Sequence, residues 1–147
     1  MPNPLPFGWG RATLPKILEL IALTEPGPFA GKTIELGEYY GVFDGERLIA
    51  MAGERFIAGP LREISGVCTH PEFQGRGLAR HLIEKLIRLE LQRQEIPFLH
   101  VKRDNVRARR IYEKWVSATI KSGCCTWSRE NKARSFQLLS RRGPTRP

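Results

Sequence analysis

A strand, a glycine-rich turn and a long amphipathic helix follow one another between Leu61 and Leu91, and no other stretch constrains the chain as tightly. Leu61 to Thr69 reads as a strand, and His70 to Arg76 as a loop. Beyond it Leu78, Leu82, Ile83, Leu86, Ile87 and Leu89 recur at helical spacing with Arg, Lys and Glu between them. The first amides of such a helix have no intrahelical acceptor and sit at the positive end of its dipole, so they suit a phosphate or pyrophosphate. Gly75 and Gly77 let the backbone approach such a ligand without a Cβ in the way, and Arg76 adds a charge. The same two glycines also make an ordinary strand-to-helix turn, and both readings stand on the G-x-G alone. It is neither the dinucleotide fingerprint, whose third glycine is missing, nor a P-loop, since no Gly-Lys-Ser/Thr follows.

The rest of the chain supplies an α/β frame. A helix starts near Thr13, with Leu14, Ile17, Leu18 and Ile21 in register, and stops at Glu25-Pro26-Gly27-Pro28. Glu38 to Asp44 and Arg47 to Ile57 read as a hairpin about Asp44-Gly45. Pro97 to Val101 is a short buried strand, and Asp104 or Asn105 caps a further helix running to about Lys114. Helix, antiparallel strands, helix, strand and helix suggest a mixed sheet flanked by helices. Met1 to Ala12 supplies no convincing strand. With 41% hydrophobic and 27% charged residues the 147-residue chain is neither a disordered polymer nor a membrane protein. Met1 to Gly10 lacks the pattern of a signal peptide, and three cysteines do not make a disulfide scaffold, so a reducing cytoplasm is expected.

Two motifs in order carry a family resemblance. Gln74-Gly75-Arg76-Gly77-Leu78-Ala79 resembles the Q/R-x-x-G-x-G/A signature of the GNAT N-acetyltransferases. Asp104-Asn105-Val106-Arg107-Ala108-Arg109-Arg110-Ile111-Tyr112-Glu113 resembles the N-x-x-A-x-x-x-Y-E element of their FR47-like branch. The resemblance is strong over residues 63–113, fair over 13–62 and lost after 114. It implies a GNAT fold, acetyl-CoA as co-substrate, and transfer of an acetyl group to a primary amine of a small molecule or peptide. The cofactor would lie in a splay between two parallel strands, 61–69 and 97–101. Its pantetheine arm would pair with the backbone around Val67, Cys68 and Thr69, and its pyrophosphate would sit on Gln74, Gly75, Arg76, Gly77, Leu78 and Ala79. Asn105 would contact the arm as well as cap its helix. Tyr112 would protonate the departing thiolate, although alone it reads as a packing residue.

An amine is mostly protonated near neutral pH, so the reaction also needs a base. Glu63, eleven positions before Gln74, matches the glutamate base of the histone-acetylating branch; the alternative is an exposed partner of Arg62 or Arg103. His70 is a second candidate. Strict alternation puts Glu63, Ser65, Val67 and Thr69 on one face. A backbone N–H near Val67 or Cys68, freed by a bulge, is the candidate donor to the developing oxyanion. Cys68 itself reads as a small buried residue, because the acetyl group passes directly to the amine. His81 and His100 show no partner pattern for a metal, and none is expected.

The resemblance breaks at Lys114-Trp115-Val116-Ser117, where family members read Leu-Gly-Phe and then complete the sheet with two strands. Restoring one base before the Trp codon turns Trp-Val into Leu, Met or Val followed by Gly. A domain over residues 1–116 with a short N-terminus is therefore expected, with an atypical and possibly frame-shifted segment over 117–147 whose strands are altered or missing. Sequencing the coding DNA tests that shift. The charge agrees: of the formal +9, seven basic residues against Glu130 alone place +6 in residues 117–147. A missing strand would leave an open edge beside the acceptor site, favouring a homodimer and weakening or abolishing turnover. Two rival readings remain: a basic nucleic-acid-binding protein using the tail and Arg107-Ala108-Arg109-Arg110, and a non-catalytic acetyl-CoA-binding domain. Nucleic-acid recognition elements are absent from the sequence, and no membrane partner is expected.

Overall fold

The computed structural model describes residues 5–6, 13–26, 35, 37–100, 105–120, 126–127 and 135–139. Its elements are β1 (Leu5–Pro6), α1 (Thr13–Thr24), β2 (Tyr39–Asp44), β3 (Arg47–Ala58), β4 (Leu61–Thr69), α2 (Leu78–Gln92), β5 (Ile96–His100), α3 (Val106–Ile120), β6 (Thr126–Trp127) and β7 (Ser135–Leu139). The strands order as β1-β2-β3-β4-β5-β7-β6. Every recorded pairing is antiparallel except β4 with β5, which is parallel. This is the mixed, mostly antiparallel α/β sheet expected.

Two apolar clusters cover the two faces of the sheet. On one, Leu78, Leu82, Ile83 and Leu86 of α2 pack on Val42, Ala50, Ala52, Ile64 and Leu99. On the other, Ile17 and Leu20 of α1 pack on Tyr39, Leu48, Met51 and Cys68. The Tyr39 ring lies flat over Gly53, where a Cβ would come within 2.2 Å of it, so glycine there is what lets the ring cross the sheet. Asp44-Gly45 makes the hairpin turn, with Gly45 at φ +58°.

Four readings of the sequence change. A short strand does precede α1: Leu5 and Pro6 pair with Gly41 and Tyr40. α3 runs past Lys114 to Ile120, so the boundary at 116/117 falls inside a helix; no Gly or Pro interrupts the sequence before Gly123. The C-terminal strands are altered in sequence yet present, and β7 pairs with β5 through Phe98↔Gln137, Leu99↔Phe136 and His100↔Ser135. The open edge on β5 is thereby corrected, and with it the edge offered to a second copy. The fourth concerns the phase of β4. Ile64 and Val67 both meet the α2 cluster, whereas Cys68 joins the α1 cluster, so Glu63 and Val67 are on opposite faces. A bulge shifts the alternation, as described below. Val101, Arg103, Asp104 and the tail from Arg141 lie outside the described residues.

Candidate active site

β4 carries the irregularities that make a site. Its parallel ladder with β5 runs Leu61↔Ile96, Arg62↔Pro97, Glu63↔Phe98 and Ile64↔Leu99, and then stops while β4 continues to Thr69. On its other edge β4 pairs with β3 through Gly53↔Ser65 and Met51↔Cys68, so Gly66 and Val67 together oppose Ala52 alone. That is a β-bulge, and Gly66 takes φ +62° to make it. The bulge expected near Val67 and Cys68 is therefore present. Over the stretch where β4 parts from β5, its regular pairing with β3 is interrupted too, which frees backbone groups for a ligand.

β4 then runs into a 3-10 turn, Pro71–Phe73, and into α2. His70 holds this turn: its Nδ1 accepts from the Glu72 N–H at 3.2 Å, its Nε2 faces the Arg47 guanidinium, and its ring meets Phe73 edge-on. Both ring nitrogens thus have partners within the turn and on β3. Gln74 Nε2 donates to the Thr69 carbonyl at 3.5 Å, and Arg76 stacks over the Phe73 ring at 4.7 Å. Gly75 and Gly77 have φ +77° and +76°, a region other residues rarely enter. Gly77 is the N-cap of α2 and, having no side chain, leaves the first amides uncapped. A Cβ at Gly75 would meet nothing within 4 Å, so the space before the helix is open. The α2 start therefore fits an anionic group.

Asn105 caps α3, its Oδ1 accepting from the Ala108 N–H at 3.1 Å. Tyr112, one turn beyond Ala108, packs with Val67 and Phe73 against the α2 cluster. Burial pushes its phenol up to about 12, so it stays protonated at neutral pH and can donate. The Cys68 side chain points to the α1 cluster, and burial pushes its thiol up to about 11 despite contacts with Thr24 and Met51. It is inert packing, and only its backbone reaches the site.

Glu63 is buried, and its carboxylate is gripped by Arg55, with Nη2 donating to Oε1 at 2.6 Å and Nε to Oε2 at 3.3 Å. Of the two expected partners, Arg62 bonds Glu95 instead, at 2.7 Å, and Arg103 lies outside the described residues. Arg55 was not legible in the sequence. It is the extra residue of a second bulge, between Glu54↔Ile64 and Phe56↔Glu63. A separate cleft of about 280 Å³ opens between α1 and the β2–β3 turn, lined by Lys16, Glu19, Leu20, Arg47 and His70 among others. None of the sequence-predicted cofactor residues lines it; a phosphate cradle on a helix terminus is an open surface, which volume does not reveal. Among the described residues no group of His, Cys, Asp or Glu is placed to hold a metal.

A sheet that parts beside a bulge and feeds a glycine-opened helix puts the chain in the GNAT superfamily. More narrowly, the model of the family described as FR47-like protein matches residues 39–121, and the chain belongs to that family. A GNAT-family protein from Novosphingobium aromaticivorans is 45% identical over 76% of this chain, with a TM-score of 0.70. The chain spans 50% of that protein's length. Two structures share the fold at lower identity. The PaiA N-acetyltransferase of Thermoplasma acidophilum, in complex with coenzyme A, is 13% identical at TM-score 0.65, covering 92% of this chain and 97% of its own. A GNAT family acetyltransferase from Elizabethkingia anophelis with acetyl-CoA bound is 15% identical at TM-score 0.66, covering 93% and 95%. None of the curated proteins matches the sequence.

Proposed function

We propose that the chain is an acetyl-CoA-dependent N-acetyltransferase acting on a primary amine of a small molecule or peptide, in the cytoplasm. The observation that carries this is the parting of β4 from β5 after Ile64, which runs directly into the uncapped start of α2. One strand thus offers free backbone for an extended arm and, a few residues on, amides for a pyrophosphate. Family membership and the neighbours solved with coenzyme A or acetyl-CoA support the same cofactor. Among the described residues no helix is long and apolar enough to cross a membrane.

When bound, acetyl-CoA supplies a thioester whose carbonyl carbon can be attacked by an amine. The residues of the chain do the rest. Val67, Cys68 and Thr69 pair with the arm through their backbone, and the backbone from Gly75 to Ala79 holds the pyrophosphate, with Gln74 and Arg76 at its rim. Asn105 contacts the arm beside its capped helix. A backbone N–H in the Gly66–Val67 bulge donates to the carbonyl oxygen as it gains charge. Glu63 takes a proton from the incoming ammonium. As the C–N bond forms and the C–S bond breaks, Tyr112 gives its proton to sulfur and recovers one from solvent, into which the amide nitrogen also loses its extra proton. Because β5 is covered by β7, an open edge no longer argues for lost turnover; what remains of that expectation is the changed sequence itself.

Thermal shift with acetyl-CoA and, separately, with a DNA oligonucleotide tests the cofactor. A ligand at 100 times its Kd stabilises by about 2.7 kcal/mol. Stabilisation by acetyl-CoA, with thiol release on adding a panel of primary amines, is the expected result. A response to the oligonucleotide alone, at moderate salt, would overturn it. Stabilisation with no amine turned over would leave a binding domain.

A further inference from the structure

The Arg55–Glu63 pair joins a buried carboxylate to a partly exposed guanidinium, as Arg93–Glu54 does, but Arg93 is shared with Glu38 and Glu95 as well. Glu63 is the buried member, its side chain 4% exposed, while Arg55 is 30% exposed. Arg55 turns its Nε and one Nη2 hydrogen to the carboxylate. A guanidinium has five N–H donors in a planar fork, so three point away from Glu63. Among the described residues Glu63 is the hydrogen-bond and ion-pair partner that Arg55 has.

The pair's position gives that outer edge a meaning. Glu54 is on the α2 face, where it meets Arg93; Arg55, the bulge residue, is placed by its bonds to Glu63. Glu63, out of phase with Ile64, is on the α1 face, and both it and Arg55 are close enough to act electrostatically on Tyr39, which packs under α1. Tyr112 and Val67 are on the opposite face. If the cofactor arm enters from the α2–α3 side, the amine must reach the parted strands from the α1 side. Ser65, where the strands have parted, is two residues beyond Glu63 on the same face, roughly 6.6 Å along the strand.

We infer that Arg55 selects the acceptor, and that the acceptor class is a primary amine bearing a nearby carboxylate, as in a free amino acid. This rests on the transferase reading above. Glu63 and Arg55 form a fixed negative–positive couple, and an amino acid is the complementary one. Its ammonium faces Glu63, and its carboxylate takes the outer fork of Arg55, a bidentate contact that a carboxamide or an unsubstituted amine cannot match. The β3 bulge serves this arrangement, because it offsets Arg55 from the ladder position opposite Glu63 and sets the two side chains edge to edge.

The test compares glycine with glycinamide and alanine with alaninamide as acceptors. It reads kcat/KM at saturating acetyl-CoA and, independently of turnover, calorimetric binding of each amine to the protein with coenzyme A. The acids should exceed their amides at least 10-fold in both measurements. Arg55→Gln should bring the ratio close to one, and Arg55→Lys, which keeps the charge but loses the fork, should give an intermediate ratio. Acetyl-CoA affinity should be unchanged in both variants and reports that they are folded. Equal use and binding of acids and amides by the unaltered protein would overturn the inference, as would an equal loss for both classes in Arg55→Lys, which marks Arg55 as a mere counter-ion of Glu63. Turnover of amines without preference sinks this inference and keeps the transferase. Selective, Arg55-dependent binding of acids without turnover does the reverse.

Discussion

The two ends of α2 are built on opposite principles. At its N-terminus the polar groups are left over: Gly77 offers no cap, no acidic residue sits in the first turn, and the space before Gly75 is open. About 22 Å away, a length set by its 15 residues, the C-terminal end is crowded with paired charge. There Arg93 is shared by Glu54, Glu38 and Glu95, and Glu95 also holds Arg62. Glu90, fully buried in the last turns, faces Glu54. One end spends its groups on holding the helix to β3; the other leaves them uncapped, as the proposed ligand site requires. Stability and function are thereby separated along a single element, and substitutions at the two ends should fail in different ways.

The largest effect is expected at the closed end. Arg93→Ala strips the buried Glu54 carboxylate of its counter-charge, and breaking a buried pair typically costs about 3–5 kcal/mol. Arg93 is about one third exposed, so the lower figure, about 3 kcal/mol, is expected in urea denaturation. The affinity for acetyl-CoA measured on the folded fraction should not change. A matching loss of affinity would show that the two ends are not independent.

Tyr112→Phe should do the converse. If Tyr112 acts as the proposed general acid, its loss costs about 100-fold or more in kcat. Stability and acetyl-CoA affinity should hold, since the ring keeps its packing on the α2 cluster. With the phenol pushed up to about 12, its ionisation should not limit the rate of the unaltered enzyme below pH 10. A kcat within threefold of the parent would make Tyr112 a packing residue only.

At the closed end Glu90 gives a pH dependence. Burial first, and then the Glu54 charge, push its carboxyl up to about 9 from an unfolded value near 4.5. Between these values the unfolded chain has released the proton and the folded one has kept it, so stability falls as pH rises. The contribution is fully present below about pH 4.5 and lost by about pH 9. Glu90→Gln should flatten that decline and raise stability at pH 8. An equally steep decline in the variant, followed by urea midpoint from pH 5 to 9, would mean that another group sets the pH dependence.

The open end was the legible one. A glycine with positive φ and a helix start are local features, and Gly75-Arg76-Gly77 before the Leu78–Leu82–Leu86 stripe announces both. The closed end hid in plain spacing. Glu90 continues that stripe by another four residues, so its burial was readable, but its neighbour Glu54 is 36 positions away and only the folded sheet brings them together. The β4 phase failed for a similar reason. Alternation is a rule for unbroken strands, and Gly66 breaks it by taking the bulge conformation. Arg55 needed a second bulge that no residue type signals. The motif gave Glu63 a role, but its partner lay on another strand, beyond the reach of spacing within β4.

The smallest expected effect asks whether the open end is open for a ligand or merely for a turn. Gly77 and Gly59 provide the control within one chain. Both have positive φ, +76° and +56°, and Gly59 sits in the β3–β4 turn with nothing within 4 Å of an added Cβ. Alanine at either position should cost about 1 kcal/mol of stability, because the left-handed backbone is the same burden in both. Only Gly77→Ala should also weaken acetyl-CoA, by about 10-fold, since its methyl group and any backbone relief it forces fall at the first amides of α2. Strain felt equally by both variants cancels in that comparison, so a difference in Kd isolates the ligand's claim on Gly77. Equal Kd values would mean that the glycine serves the turn alone, and that the anion rests further along the helix start, on Ala79 and Arg80.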